Sequence, residues 1–125
     1  SIQERGVEIL KLTWYEPEKI SENDVLNYQI PLKMSNWDGS LWEYTKANKD
    51  MGLKDNISKI KVPVLIISGV EDRLIPADQS VWIAEETNNS KLVLIPECGH
   101  VPQEECPEDF LEPVTSFLLE LQLGN

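Results

Sequence analysis

The sequence predicts an α/β architecture with parallel strands, on three features of its second half. Val62-Pro63-Val64-Leu65-Ile66-Ile67-Ser68-Gly69 is an apolar run rich in β-branched residues and closed by glycine. Such a run fits a strand buried on both faces of a parallel sheet. Pro76 and Ala77 open a helical stretch through Trp82, Ile83 and Ala84 that ends near Asn88-Asn89. A second strand, Lys91 to Ile95, follows and is stopped by Pro96. Strand, helix and strand at this spacing form a βαβ unit, whose strands run parallel.

The remaining elements follow from local pattern. Phe110, Val114, Phe117, Leu118 and Leu121 recur at helical spacing and mark one face of a closing helix over the sheet. Pro113 removes a backbone donor from that helix, so a kink there, or a restart with Pro113 in the first turn, is expected. Before residue 60 the character changes to short helices joined by loops, rich in Trp and Tyr. Ile2, Val7, Ile9, Leu10 and Leu12 among charges predict an amphipathic helix over residues 2–12. Ser21 followed by Glu22 and Asp24 reads as an N-cap with acids in the first turn. Asp38 opens another helix leading into Leu41-Trp42-Glu43-Tyr44, and the stretch from Tyr28 to Trp37, with Pro31, reads as irregular.

Two strands alone cannot cover the run at 62–70 on both faces and both edges. An uncovered edge exposes Val and Ile beside unpaired backbone groups. Further strands are therefore expected, from an N-terminal portion upstream of Ser1 or from a partner chain. The absence of an initiating methionine points the same way.

A chain of 125 residues makes one domain of ordinary size. Its net charge of −11 disfavours nucleic acid and anionic membranes, whose phosphates require Lys and Arg. The apolar run is far too short to cross a bilayer. Two cysteines, Cys98 and Cys106, make no disulfide framework, and one histidine completes no Cys/His zinc site. A reducing compartment is the default expectation, with a single bridge between the two as the other option. No metal or organic cofactor is indicated.

The chemistry gathers in two loops that follow the two strands. The first is Gly69-Val70-Glu71-Asp72-Arg73-Leu74-Ile75-Pro76; the second runs from Pro96 through Cys98-Gly99-His100-Val101-Pro102 to Glu105. Ligands of open α/β sheets bind outside the carboxyl ends of the strands, where both loops lie. Gly69 is expected to allow a tight turn out of the strand, and Gly99 to let the backbone swing the imidazole inward.

A strand ending in G-x-x-D-x-x-x-P, with a G-H-x-P-x-x-E-x-P segment in which the histidine is 28 residues after that Asp, resembles the end of α/β-hydrolases. The matching residues are Gly69, Asp72 and Pro76, then Gly99, His100, Pro102, Glu105 and Pro107. The resemblance implies a fold class: the C-terminal portion of an α/β-hydrolase, two last parallel strands with helices, preceded by a helical lid. Residues 1–57 would be the lid or cap and residues 58–125 the end of the core. Pro31-Leu32-Lys33, Asn36-Trp37-Asp38 and Leu41-Trp42-Glu43-Tyr44 resemble the lids of plant, algal and cyanobacterial members. A soluble, intracellular location is expected, with a plastid as one option.

In that family the triad runs Ser, Asp or Glu, His along the chain. The resemblance makes Asp72 and His100 the acid and base. No G-x-S-x-G nucleophile elbow is present: Ser40 follows Gly39 but has Trp42, not glycine, two residues on. The implied activity is hydrolysis of a small, fairly apolar ester or related carbonyl substrate, with this chain inactive alone. An epoxide hydrolase or haloalkane dehalogenase, with an Asp nucleophile in the missing part, remains open. So does a ligand-binding or regulatory protein on this fold.

Each residue has a plainer reading beside its functional one. A lone histidine is usually structural, and the motif around His100 is what sets it apart. Glu71 and Asp78 rival Asp72, and the G-x-x-D register favours Asp72. Arg73 reads as a surface residue or ion-pair partner. Cys98 reads as a buried loop cysteine before a reactive thiol. Glu105 is expected to fix the histidine loop by hydrogen bonding. The Trp and Tyr residues of the first half line a substrate pocket or simply pack.

Overall fold

A computed structural model describes residues 2–47 and 52–124. The first half consists of α1 (Ile2–Thr13), a 3-10 turn at Pro17–Lys19, α2 (Glu22–Gln29), a second 3-10 turn at Pro31–Lys33, and α3 (Trp37–Ala47). A short α4 (Leu53–Asn56) runs into a third 3-10 turn, Ile57–Lys59. The second half is β1 (Val64–Gly69), α5 (Ala77–Glu86), β2 (Ser90–Ile95), α6 (Pro102–Glu105) and α7 (Pro107–Leu123).

The two strands pair in parallel, from Val64 opposite Ser90 to Gly69 opposite Ile95. β1 starts two residues later than the apolar run. Val64 is the first residue whose N–H enters the pairing region, donating to the Asn89 carbonyl at 2.9 Å, and Pro63 before it has no N–H to give. Pairing in this register brings both strands to their carboxyl ends together, so the loops after Gly69 and Ile95 emerge side by side.

Helix starts follow side-chain chemistry. Ser21 caps α2 reciprocally: its Oγ accepts the Asp24 N–H at 3.2 Å, while the Asp24 carboxylate accepts the Ser21 N–H at 2.9 Å. That satisfies two donors which a helix N-terminus otherwise leaves open. The stretch read as irregular is shorter than expected, because α2 continues through Tyr28 and Gln29 before Pro31 stops it. Asn36, at φ 60°, makes the turn into α3. The closing helix begins at Pro107, and Pro113 lies inside it without a restart. Sixteen of its seventeen residues are outside position 113, and losing one backbone bond does not end a helix held by the rest of its ladder.

The core is small. Leu10, Trp14, Ile57, Ile95 and Cys98 are buried, Trp14 with its indole Nε1 unpaired. The expectation of a strand buried on both faces is not met in the described residues. Only Ser68 and Gly69 of β1 are buried, its first four residues are half-exposed, and Leu94 of β2 is exposed. Val62, Trp42 and Leu118 also stand in solvent. Burial is concentrated where the strands end, at the site. No helix among the described residues is long and apolar enough to cross a membrane.

Candidate active site

The acid loop and the histidine loop are knitted together by backbone. Val70 N–H donates to the Ile95 carbonyl at 2.8 Å, extending the strand pairing by one residue. Glu71 N–H then donates to the Cys98 carbonyl at 3.0 Å, and Cys98 N–H returns a bond to the Glu71 carboxylate at 3.1 Å. Gly69 makes this approach possible. A Cβ there would fall on the carbonyl oxygens of Gly99 and Cys98, closer than any real Cβ approaches backbone.

The carboxylate of Asp72 has divided duties. Oδ1 accepts the backbone N–H groups of Leu74 and Ile75, at 2.8 and 2.9 Å. Oδ2 meets Nδ1 of His100 at 2.8 Å. The side chain of Asp72 is only 6% exposed, whereas that of His100 is 32% exposed. Burial is the largest single influence on Asp72 and pushes its pKa up. The bonds from Ile75, His100 and Leu74, with the charge of His100, together outweigh it and hold the carboxyl below its ordinary 3.8. A carboxylate fixed this way keeps its charge facing the imidazole and commits Nδ1, which leaves Nε2 for chemistry.

The histidine is held from behind by a segment that the sequence did not single out. His100 N–H donates to the Thr13 carbonyl at 2.7 Å. The carboxylate of Glu105 collects three backbone donors: Tyr15 at 3.0 Å, Glu16 at 2.8 Å and Gly99 at 2.7 Å. Glu105 thus fixes the histidine loop, as expected, and also ties it to the end of α1. Arg73, exposed, donates to the Tyr15 carbonyl at 3.4 Å. Thr13, Tyr15 and Glu16 act through backbone atoms, and their side-chain identity carries no signal of it.

The tight turn expected after Gly69 is present, with the Asp72 N–H donating to the Gly69 carbonyl at 3.4 Å. Neither Gly69 nor Gly99 has a positive φ; Glu97, at φ 53°, makes the turn between β2 and the histidine. Gly99 is required for space, because a Cβ there would come within 2.5 Å of the Thr13 carbonyl and 2.8 Å of the Tyr15 nitrogen. The rivals of Asp72 are placed elsewhere: Glu71 bonds to Cys98, and Asp78 lies in α5. Cys98 is fully buried as expected, but it is not a free thiol, being bridged to Cys106.

Cys98, Glu105 and Cys106 also form a compact group of metal-ligating side chains. Their donor atoms are already committed, the sulfurs to each other and the carboxylate to three N–H groups. The group does not fit a metal in this state. The aromatic residues divide between roles: Trp14 is core, Trp42 and Tyr44 are exposed, and Tyr28 donates to Glu104 at 2.8 Å. Burial first, then that carboxylate, pushes the Tyr28 hydroxyl up to about 12.

An acid and an imidazole thus meet at the carboxyl ends of two adjacent parallel strands. Residues 8–107 match the family model for the alpha/beta hydrolase fold, and the chain belongs to that family. Over 59 residues, 47% of this chain, it is 36% identical to a pimeloyl-[acyl-carrier protein] methyl ester esterase of Nitrosomonas europaea. Over 62 residues, 50% of the chain, it is 36% identical to a 2-hydroxy-6-oxo-6-(2'-aminophenyl)hexa-2,4-dienoic acid hydrolase of Metapseudomonas resinovorans. A solved meta-cleavage product hydrolase of Pseudomonas fluorescens superposes over 95% of the chain with a TM-score of 0.77 at 19% identity, which speaks for the fold. The matched segments are 23% and 21% of the two curated relatives, and the superposed part is 46% of the solved chain.

Because the folded pKa of Asp72 lies below its unfolded value, its stabilisation is present above the unfolded pKa and is lost as pH falls through the folded one. Urea midpoints of the wild type are expected to fall below pH 3.8 by more than those of Asp72→Asn; parallel curves would contradict the assignment. Gly69→Ala is expected to cost about 1–3 kcal/mol or more through backbone overlap. Gly6→Ala, inside α1 with only a Leu32 methyl at 3.9 Å, is expected to gain about 0.5–1 kcal/mol. Equal effects at the two positions in chemical denaturation would remove the argument from close approach.

Proposed function

We propose that this chain supplies the acid and base of a Ser-Asp-His hydrolase acting on a small, apolar ester or related carbonyl substrate. The observation that carries the reading is the 2.8 Å contact between Asp72 Oδ2 and His100 Nδ1, with the other carboxylate oxygen held by two backbone N–H groups. In this reading Asp72 accepts the Nδ1 proton, fixes the tautomer and stabilises the imidazolium. Nε2 takes the proton of a serine hydroxyl as that oxygen attacks the carbonyl, then returns it to the leaving group. His suits both transfers because its unperturbed pKa, about 6.5, lies near working pH.

The serine belongs to sequence outside this chain, on a strand-turn-helix elbow ahead of it or on a partner. Strands from the same source would pair with the free edge of β1 and cover Val62 and the half-exposed residues of β1. Residues 1–57 act as lid and residues 58–125 as the end of the core. In this reading the lid segment meets the histidine loop through Thr13, which accepts the His100 N–H, and through Tyr15 and Glu16, whose N–H groups donate to Glu105. The two relatives are a methyl ester esterase and an oxo-dienoic acid hydrolase, which supports a carbonyl substrate.

The test is made on the natural protein that contains this sequence together with its nucleophile. A fluorophosphonate probe is expected to label one serine, and an aspartate nucleophile would leave the probe unreacted. Asp72→Asn is expected to lower kcat by about 10⁴-fold, or roughly 5.5 kcal/mol of barrier. His100→Ala is expected to be at least as damaging. Activity within tenfold of wild type in Asp72→Asn would overturn the reading.

A further inference from the structure

We propose that the Cys98–Cys106 bridge is a reversible dithiol–disulfide site that clamps the histidine loop, opened by a dithiol attacking at Cys106. The two Cα atoms are 6.3 Å apart and eight positions separate the residues, with Gly99 and His100 inside the ring. A bridge stabilises a fold mainly by closing a loop of the unfolded chain, and the effect is smaller the shorter the loop. So short a ring acts locally, and what it encloses is the histidine. Its two ends are anchored in different elements. Cys98 exchanges backbone and carboxylate bonds with Glu71 beside Asp72, and Cys106 caps α7, accepting the Phe110 N–H at 2.9 Å.

The two sulfurs differ in access. Cys98 is completely buried, whereas Cys106 is half-buried and lines an open polar depression of about 410 Å³. Attack on Cys106 Sγ is therefore the open route. The thiolate of a dithiol forms a bond to Cys106 Sγ, the Cys98–Cys106 bond breaks, and Cys98 leaves as a thiolate that takes up a proton. The second thiol of the reductant then closes on its own sulfur and releases Cys106. Two electrons and two protons pass to the protein, and the dithiol becomes a disulfide.

The depression also selects its reductant. Glu16, Glu97, Glu105 and Asp109 line it with Lys19, which is already paired with Glu16. This acidic mouth repels an anionic thiol and favours a neutral or positively charged one, an effect that salt weakens. The consequence for catalysis rests on the reading of His100 as base. The redox chemistry and the loop's response do not rest on it, and the test reads them without activity.

The natural protein is compared oxidised and after treatment with dithiothreitol under native conditions. Amide hydrogen exchange is followed at Gly99 and His100, whose N–H groups donate to Glu105 and Thr13. Both are expected to exchange about tenfold faster when reduced, with β1 unchanged. Trapped mixed disulfides are expected on Cys106. Cysteamine is expected to react faster than mercaptopropionate at equal thiolate concentration, with a gap that narrows in high salt. Cys106→Ser is expected to reproduce the reduced exchange pattern; if it does not fold, the comparison within the wild type stands alone. Opening of the bridge only after unfolding, adducts on Cys98, or identical exchange in the two redox states would each overturn the proposal.

Discussion

The contact of Gly69 with the carbonyls of Cys98 and Gly99 is the constraint on which the site depends, because it sets how closely two loops from two strands can run. With no side chain at residue 69, Glu71 reaches the Cys98 carbonyl and the strand pairing continues beyond the sheet. Asp72 comes next in the chain and so arrives opposite His100, which comes two residues after Cys98. A carboxylate and an imidazole 28 residues apart are thereby aligned by main-chain geometry before their own side chains contribute. Their bond then finishes a placement that backbone hydrogen bonds have already made.

The same economy holds behind the histidine. Glu105 is a charged residue spent on three backbone donors, Tyr15, Glu16 and Gly99. Hydrogen bonds to an ionised acceptor are stronger than neutral ones, and three on one carboxylate make it a rigid post between α1 and the histidine loop. The histidine is thus held at three points: its ring by Asp72 at Nδ1, its backbone N–H by Thr13, and the preceding Gly99 N–H by Glu105.

The legible parts of the sequence were those written in local pattern. The run at 62–70, the βαβ spacing, the Ser21 cap and the G-x-x-D and G-H-x-P wording depend on neighbours a few residues apart. From them the parallel pair and the two facing loops follow. The role of residues 13–16 was not legible because carbonyl and N–H groups look alike at every position. The close approach that Gly69 and Gly99 permit was not legible for a related cause: contact between distant segments leaves no local pattern. The bridging of Cys98 to Cys106 stood as one of two options until the ends of the loop were seen to meet. The half-exposed strand is a different case, since the pattern asks for cover on both faces and the described residues supply only part of it.

The account stands on His100 presenting Nδ1–H to Asp72, and the most direct measurement is the ring-nitrogen NMR spectrum of His100 near neutral pH. As the sole histidine of this sequence, it gives an assignable pair of ¹⁵N signals when this segment alone is isotope-labelled within the natural protein. The account predicts a protonated Nδ1 and a bare Nε2 for the neutral ring, reverting toward the Nε2–H form common in free imidazole side chains when Asp72 is replaced by Asn. A neutral ring already carrying its proton on Nε2, unchanged by that substitution, would contradict it.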